Sequence, residues 1–150
     1  MRERQPALAA LATREMGKLI AQSAGEVALS AAILDYYADH ADAFLAPEPL
    51  KTDQGQAVVE CSPLGVLFGV EPWNCPYYQI ARFAAPNLMA GNVVMVKHAS
   101  SVPQCALAFE QLMTDAGAPE GAYTNLFVSK DQIAKIIADP RIRAVALTGS

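Results

Sequence analysis

This sequence predicts an α/β fold: helices at the N-terminal end, then part of a parallel sheet. Three observations carry that expectation. Apolar residues recur at helical spacing from Ala7 to about Leu45, the unbroken apolar run Val93 to Val96 reads as a strand buried on both faces, and strand-like and helix-like segments alternate after Asn92.

In the first segment the apolar positions are Leu8, Leu11, Met16, Leu19 and Ile20, then Val27, Ile33, Leu34, Tyr37, Ala41 and Phe44. They predict two helices with a break between Gly17 and Gly25, since glycine weakens a helix interior. His40 lies with Asp35, Asp39 and Asp42 opposite the apolar stripe and is read as a solvated residue. Pro47 and Pro49 end the helical part, residues 1–50, and polar Lys51 to Gln56 with Gly55 predicts a turn. Ala57 to Glu60 and Gly65 to Val70, parted by Ser62 and Pro63, predict two extended segments, so residues 51–70 read as a β-strand segment.

Residues 71–150 read as βαβαβ after a shaped loop, Glu71 to Pro76, whose two prolines forbid regular structure. Tyr77 to Met89 regains helical spacing, with a kink expected at Pro86 and a close at Gly91 and Asn92. Strand Val93 to Val96 follows. Ser100 or Ser101 is expected to cap a helix that starts near Pro103, turns Ala106, Phe109, Leu112 and Met113 inward and stops at Gly117. The remaining elements are a strand from Asn125 to Val128, a short helix from Asp131 to Ala138 and a strand from Ala144 to Thr148.

Composition excludes several classes of function. With 53% apolar and 17% charged residues the chain is globular, and at 150 residues it fits one domain. A net charge of −4 argues against a face built for nucleic acid. No stretch approaches the ~20 apolar residues that span a bilayer, and no signal peptide is evident, so no membrane partner is expected. Cys61, Cys75 and Cys105 form no CxxC pair; they read as packing residues of a cytoplasmic protein. No ligand set at metal-binding spacing occurs, and neither a G-x-G-x-x-G nor a G-x-x-x-x-G-K-[ST] phosphate loop is present.

Candidate chemistry lies at the ends of apolar strands. Lys97 ends one such run with Ser100 just beyond, a placement that suits a phosphate or a ribose, or equally a lysine reaching to solvent and a serine capping a helix. Thr148-Gly149-Ser150 repeats that placement at the last strand, with a glycine permitting close approach to a ligand. Asn74, between Pro72 and Pro76, offers either an uncharged donor for an oxyanion or an Asx-type turn.

Taken together, these segments resemble the aldehyde dehydrogenase superfamily. Pro72-Trp73-Asn74-Cys75-Pro76 resembles its P-W-N-F-P loop, Ala90-Gly91-Asn92 through Lys97 its A-G-N-x-hydrophobic-K segment, and Leu147-Thr148-Gly149-Ser150 its F-T-G-S. Glu15-Met16-Gly17-Lys18, Arg82-Phe83-Ala84-Ala85-Pro86 and Lys97-His98-Ala99-Ser100 are similar to the bacterial succinate-semialdehyde dehydrogenase branch. The resemblance implies a Rossmann-like cofactor domain that binds NADP or NAD, a small-molecule aldehyde substrate, and a homo-oligomer at full length, with segment 51–70 belonging to the oligomerising apparatus. It implies that Asn74 supplies the oxyanion-hole amide and that Trp73 lies beside the nicotinamide. Lys97 and Ser100 would hold the adenosine ribose, with His98 and Ala99 along the same stretch, and Gly149 and Ser150 would lie near the pyrophosphate and nicotinamide. Many NAD-preferring relatives carry Glu where Ser100 stands, so acceptance of NADP is implied. Cys75 replaces the usual Phe and His98 the usual Pro. The family's nucleophilic cysteine and general-base glutamate lie downstream of the T-G-S motif, so a segment of the enzyme, inactive alone, is expected. The alternative is a non-catalytic remnant that binds a nucleotide or a partner.

Overall fold

The computed structural model describes residues 1–149. After a 3-10 turn at Arg2–Arg4, helix α1 spans Gln5–Met16 and α2 spans Ile20–Leu45. Gly17, with φ of 81°, closes α1 through a bond from its N–H to the Thr13 carbonyl, which fixes the break at the first of the two candidate glycines.

Pro49 does not merely terminate helix. β1 (Glu48–Leu50) and β2 (Ala57–Val59) form an antiparallel hairpin across the polar turn, so the helical part ends at Leu45 and not at residue 50. Proline is tolerated in such a short, exposed ribbon because few ladder bonds are required of it.

Four parallel strands form the main sheet: β3 (Val66–Glu71), β4 (Val93–His98), β5 (Tyr123–Asn125) and β6 (Ile142–Leu147), in the order β5-β4-β3-β6. The extended segment grouped with the hairpin by sequence is therefore a central strand of this sheet. Its mostly buried, near-continuous apolar run is what a strand with neighbours on both sides requires. Asn92 sets its start, accepting the N–H groups of Leu64 at 2.7 Å and Gly65 at 3.1 Å through Oδ1.

Helix α3 (Pro76–Met89) runs through Pro86, α4 covers Pro103–Asp115 and α5 covers Lys130–Ile137. The core joins α1 and α2 (Leu8, Ala12, Val27) to α3 (Tyr77, Ile80, Ala84), β4 (Val94, Val96) and α4 (Cys105, Phe109). Only one face of β4 is sealed: Val94, Val96 and His98 are buried, while Val93, Met95 and Lys97 are half-buried, correcting the expectation of a strand buried on both faces. β5 starts at Tyr123 and not Asn125, because its register begins with Tyr123 beside Val94.

Remote carboxylates, not local serines, cap two helices. Val102 is the N-cap of α4 and makes no side-chain cap; Glu15 of α1 accepts the N–H groups of Gln104 and Cys105, each at 2.8 Å. Glu26 of α2 accepts the N–H groups of Tyr77 at 2.8 Å and Tyr78 at 3.2 Å at the start of α3, and its other oxygen pairs with Lys18. Both caps tie the N-terminal helices to the elements that frame the strand ends. Of the cysteines, Cys105 is buried as a packing residue, Cys75 is half-buried, and Cys61 is exposed, against the expectation of a packing residue. His40 is exposed, stacked between Tyr36 and Phe44, with Nδ1 against the Tyr36 carbonyl at 2.8 Å.

Candidate functional site

The strand order reverses at β3: β4 and β5 lie on one side of it and β6 on the other. In open parallel sheets the crevice beyond the strand ends at such a reversal is where ligands bind, because the loops on either side diverge there. A cleft of about 700 Å³ occupies this place. Its walls come from three strand ends: Pro72, Trp73 and Asn74 after β3, Lys97, Ala99 and Ser100 at the end of β4, and Thr148 and Gly149 after β6.

Six of the eight residues expected at a site thus meet at one opening, although they come from three separated segments of the chain. Trp73 is 53% exposed, with its ring free to offer a face, and Asn74 and Ser100 are exposed. Asn74 also borders a second, apolar cavity of about 450 Å³ beside Lys18, Leu29 and Cys75, so its carboxamide sits where two openings meet. Lys97 and Lys130 bring two cations to the rim of the larger cleft. Gly149 has φ of 137°, a conformation that L side chains rarely adopt, so the backbone there is left bare toward the cleft. Ser150 lies outside the described residues.

His98 departs from expectation. Successive strand residues face opposite sides, so with Lys97 turned to the cleft His98 is turned beneath the sheet, where it is 5% exposed. Burial lowers its pKa and keeps the ring neutral. The neutral ring donates from Nε2 to the Pro76 carbonyl at 2.9 Å and accepts the Ala99 N–H at Nδ1, also at 2.9 Å. It therefore ties the end of the Pro72–Pro76 loop to β4 and does not line the cleft.

Two residues at the floor escaped sequence reasoning. Glu71, the last residue of β3, is 3% exposed, and burial pushes its carboxyl up to about 7 against the pull of a Thr148 side-chain hydrogen bond and the Arg82 charge. Gln79 of α3 is 7% exposed. Both line the cleft, and among the described residues neither Glu71 Oε2 nor Gln79 Oε1 has a hydrogen-bond partner. The available signal was the one used for Lys97, a charged residue ending an apolar strand. Among the described residues there is no group of three or more His, Cys, Asp or Glu side chains able to hold a metal ion, and no helix is long and apolar enough to cross a membrane.

Known proteins include clear relatives of this chain. The model of the aldehyde dehydrogenase family matches residues 1–150. A succinate-semialdehyde dehydrogenase (NADP(+)) of Deinococcus radiodurans is 55% identical over the whole chain, which covers 31% of that relative. A succinate semialdehyde dehydrogenase (NAD(P)+) of Escherichia coli K12 is 44% identical, with 32% of its length covered. Among solved structures, the succinic semialdehyde dehydrogenase of Streptococcus pyogenes in complex with NADP+ superposes with a TM-score of 0.97 at 51% identity, covering 99% of this chain and 33% of that one. The chain thus spans about a third of the length of the relatives it matches.

Proposed function

Because the chain belongs to the aldehyde dehydrogenase family, we propose that it forms the dinucleotide-binding part of an enzyme that oxidises succinate semialdehyde to succinate with NADP or NAD. The observation that carries this reading is the convergence of Trp73, Asn74, Lys97, Ser100 and Gly149 on one cleft at the reversal of a parallel sheet. The cleft fits the cofactor: it has cations for phosphates at its rim, bare backbone at Gly149, and buried oxygens without donors at its floor.

In this reading Lys97 and Ser100 hold the adenosine ribose, Ala99 lies along the same stretch, and Gly149 lets the backbone approach the pyrophosphate. Ser100 places no charge against a ribose phosphate, which favours acceptance of NADP. Trp73 lies beside the nicotinamide. When bound, the dinucleotide supplies a hydride acceptor. Asn74 donates its amide N–H to the oxygen that gains charge when a nucleophile adds to the aldehyde, an interaction worth about 3–4 kcal/mol in the transition state. The cysteine and glutamate that the family uses for addition and hydrolysis belong to the whole protein. A cytoplasmic setting and a homo-oligomer, with the hairpin β1–β2 in its interface, complete the proposal.

Calorimetric titration of the purified chain with NADP and with NAD tests it, after circular dichroism has established that the chain is folded. The expected result is saturable binding with one site per chain that Lys97→Met weakens. A folded chain that binds neither nucleotide contradicts the reading.

A further inference from the structure

The floor of the cleft contains two polar side chains to which the reading above gives no partner. Glu71 and Gln79 reach it from different elements, β3 and α3, and both are more than nine-tenths buried. Each presents an oxygen that has no partner among the described residues. Folded proteins rarely leave such atoms unpaired, because a buried acceptor without a donor forfeits the hydrogen bonds that water gave it. Gln79 Oε1 accepts in every state and Glu71 Oε2 accepts when its carboxyl is ionised, so what is missing is a donor.

We propose that Glu71 and Gln79 form a hydrogen-bonding subsite that receives an uncharged donor of the bound nucleotide, either a ribose hydroxyl or the nicotinamide carboxamide. The subsite rests on the cofactor reading and deepens it. Glu71 and Gln79 line the same cleft as the Asn74 loop and Lys97, so a nucleotide that fills the cleft meets them. An uncharged donor suits it better than a cation. The Glu71 carboxyl, near 7, is only partly ionised at neutral pH, which also keeps the floor compatible with anionic phosphates above it. The Thr148 side chain and the Arg82 charge both pull this carboxyl down against its burial.

The test is calorimetric titration of the chain and of three variants, Glu71→Leu, Glu71→Gln and Gln79→Leu, with NADP, with its acetylpyridine analogue, in which a methyl replaces the amide nitrogen, and with the adenosine bisphosphate half alone. Circular dichroism checks that each variant is folded. The two leucine variants are expected to bind NADP about tenfold more weakly, while Glu71→Gln, which keeps an acceptor oxygen, binds within about twofold of the parent. Sensitivity lost with the acetylpyridine analogue assigns the donor to the carboxamide, and sensitivity retained with the adenosine half assigns it to the ribose. Equal NADP affinity of the parent and both leucine variants overturns the subsite while leaving the cofactor reading intact. A folded parent that binds no nucleotide overturns both.

Discussion

Glu26 and Tyr77 lie 51 positions apart in the chain, yet the Glu26 carboxylate accepts the Tyr77 N–H at 2.8 Å and closes the N-terminus of α3, the helix that begins where the Asn74 loop ends. The partner of its other oxygen is Lys18, itself largely buried. A long-range cap of this kind makes the N-terminal helices part of the framework of the site. Glu26→Ala should lower unfolding stability by about 3 kcal/mol, because it uncaps α3 and strands a buried ammonium, as urea denaturation will show. Glu15→Ala, which removes the cap of α4 at a half-buried position, should lower it by about 1 kcal/mol.

Gly69 has no space for a side chain. An added Cβ would lie 2.6 Å from Cε1 of Phe83, whose ring packs over β3. Gly69→Ala should cost about 1–3 kcal/mol, and Phe83→Leu in the same chain should recover part of that loss, so the two substitutions are coupled in a double-mutant cycle. Additive effects would contradict the close packing of α3 on β3.

Two buried groups, Glu71 and His98, pull the pH dependence of stability in opposite directions. Glu71 has its pKa raised from 4.5 to about 7 by folding, so between those values the native state holds a proton that the unfolded chain has released. Its contribution is complete below 4.5 and is lost as pH rises toward 7; Glu71→Gln should therefore gain stability over the parent at pH 8, by up to about 3 kcal/mol, and none at pH 4. His98 has its pKa lowered by burial, so its contribution is present above the ordinary histidine value of 6.5 and is lost as pH falls through the lowered folded value. Denaturant midpoints measured across pH for the parent, Glu71→Gln and His98→Leu separate the two. His98→Leu should remove the second of them and loosen the Pro76 carbonyl, raising protease sensitivity in the Pro72–Pro76 loop.

Ser100 is exposed at the rim of the cleft that Lys97 also lines. Ser100→Glu should shift the ratio of NADP to NAD affinity by about tenfold against NADP, because a carboxylate there repels a ribose phosphate. Titration of the variant with both nucleotides reads this directly, and an unchanged ratio would remove Ser100 from the account of cofactor choice.

Much of the site was legible because its signals are local. A run of valines ended by Lys97, a loop fixed by Pro72 and Pro76, and a strand ending at Thr148-Gly149 each declare themselves within a few residues, and the parallel sheet then brings them together. The illegible features are those that distant partners decide. Ser100 and Ser101 read as caps because nothing nearby competes with them, but Glu15 arrives from 89 residues away. The strand Val66–Glu71 read as a companion of the hairpin because it follows the hairpin in sequence; its place at the centre of the sheet is set by pairing with β4 and β6. His98 read as a neighbour of Lys97 in the site, whereas strand alternation sends the two side chains to opposite faces. Glu71 offered only the weak signal of a charged residue ending an apolar strand and Gln79 offered none, and their common burial at the cleft floor reveals them.

The most direct test of the central claim, that the strand ends at the reversal of the sheet hold a dinucleotide, is an amide NMR titration of the isotope-labelled chain with NADP. Saturable shifts are expected at Trp73, Asn74, Lys97, Ala99, Ser100 and Gly149, with none at the distant α1–α4 surface around Leu11 and Leu107. A folded chain whose shifts cluster on that distant surface, or that shows no shifts at all, would contradict the account.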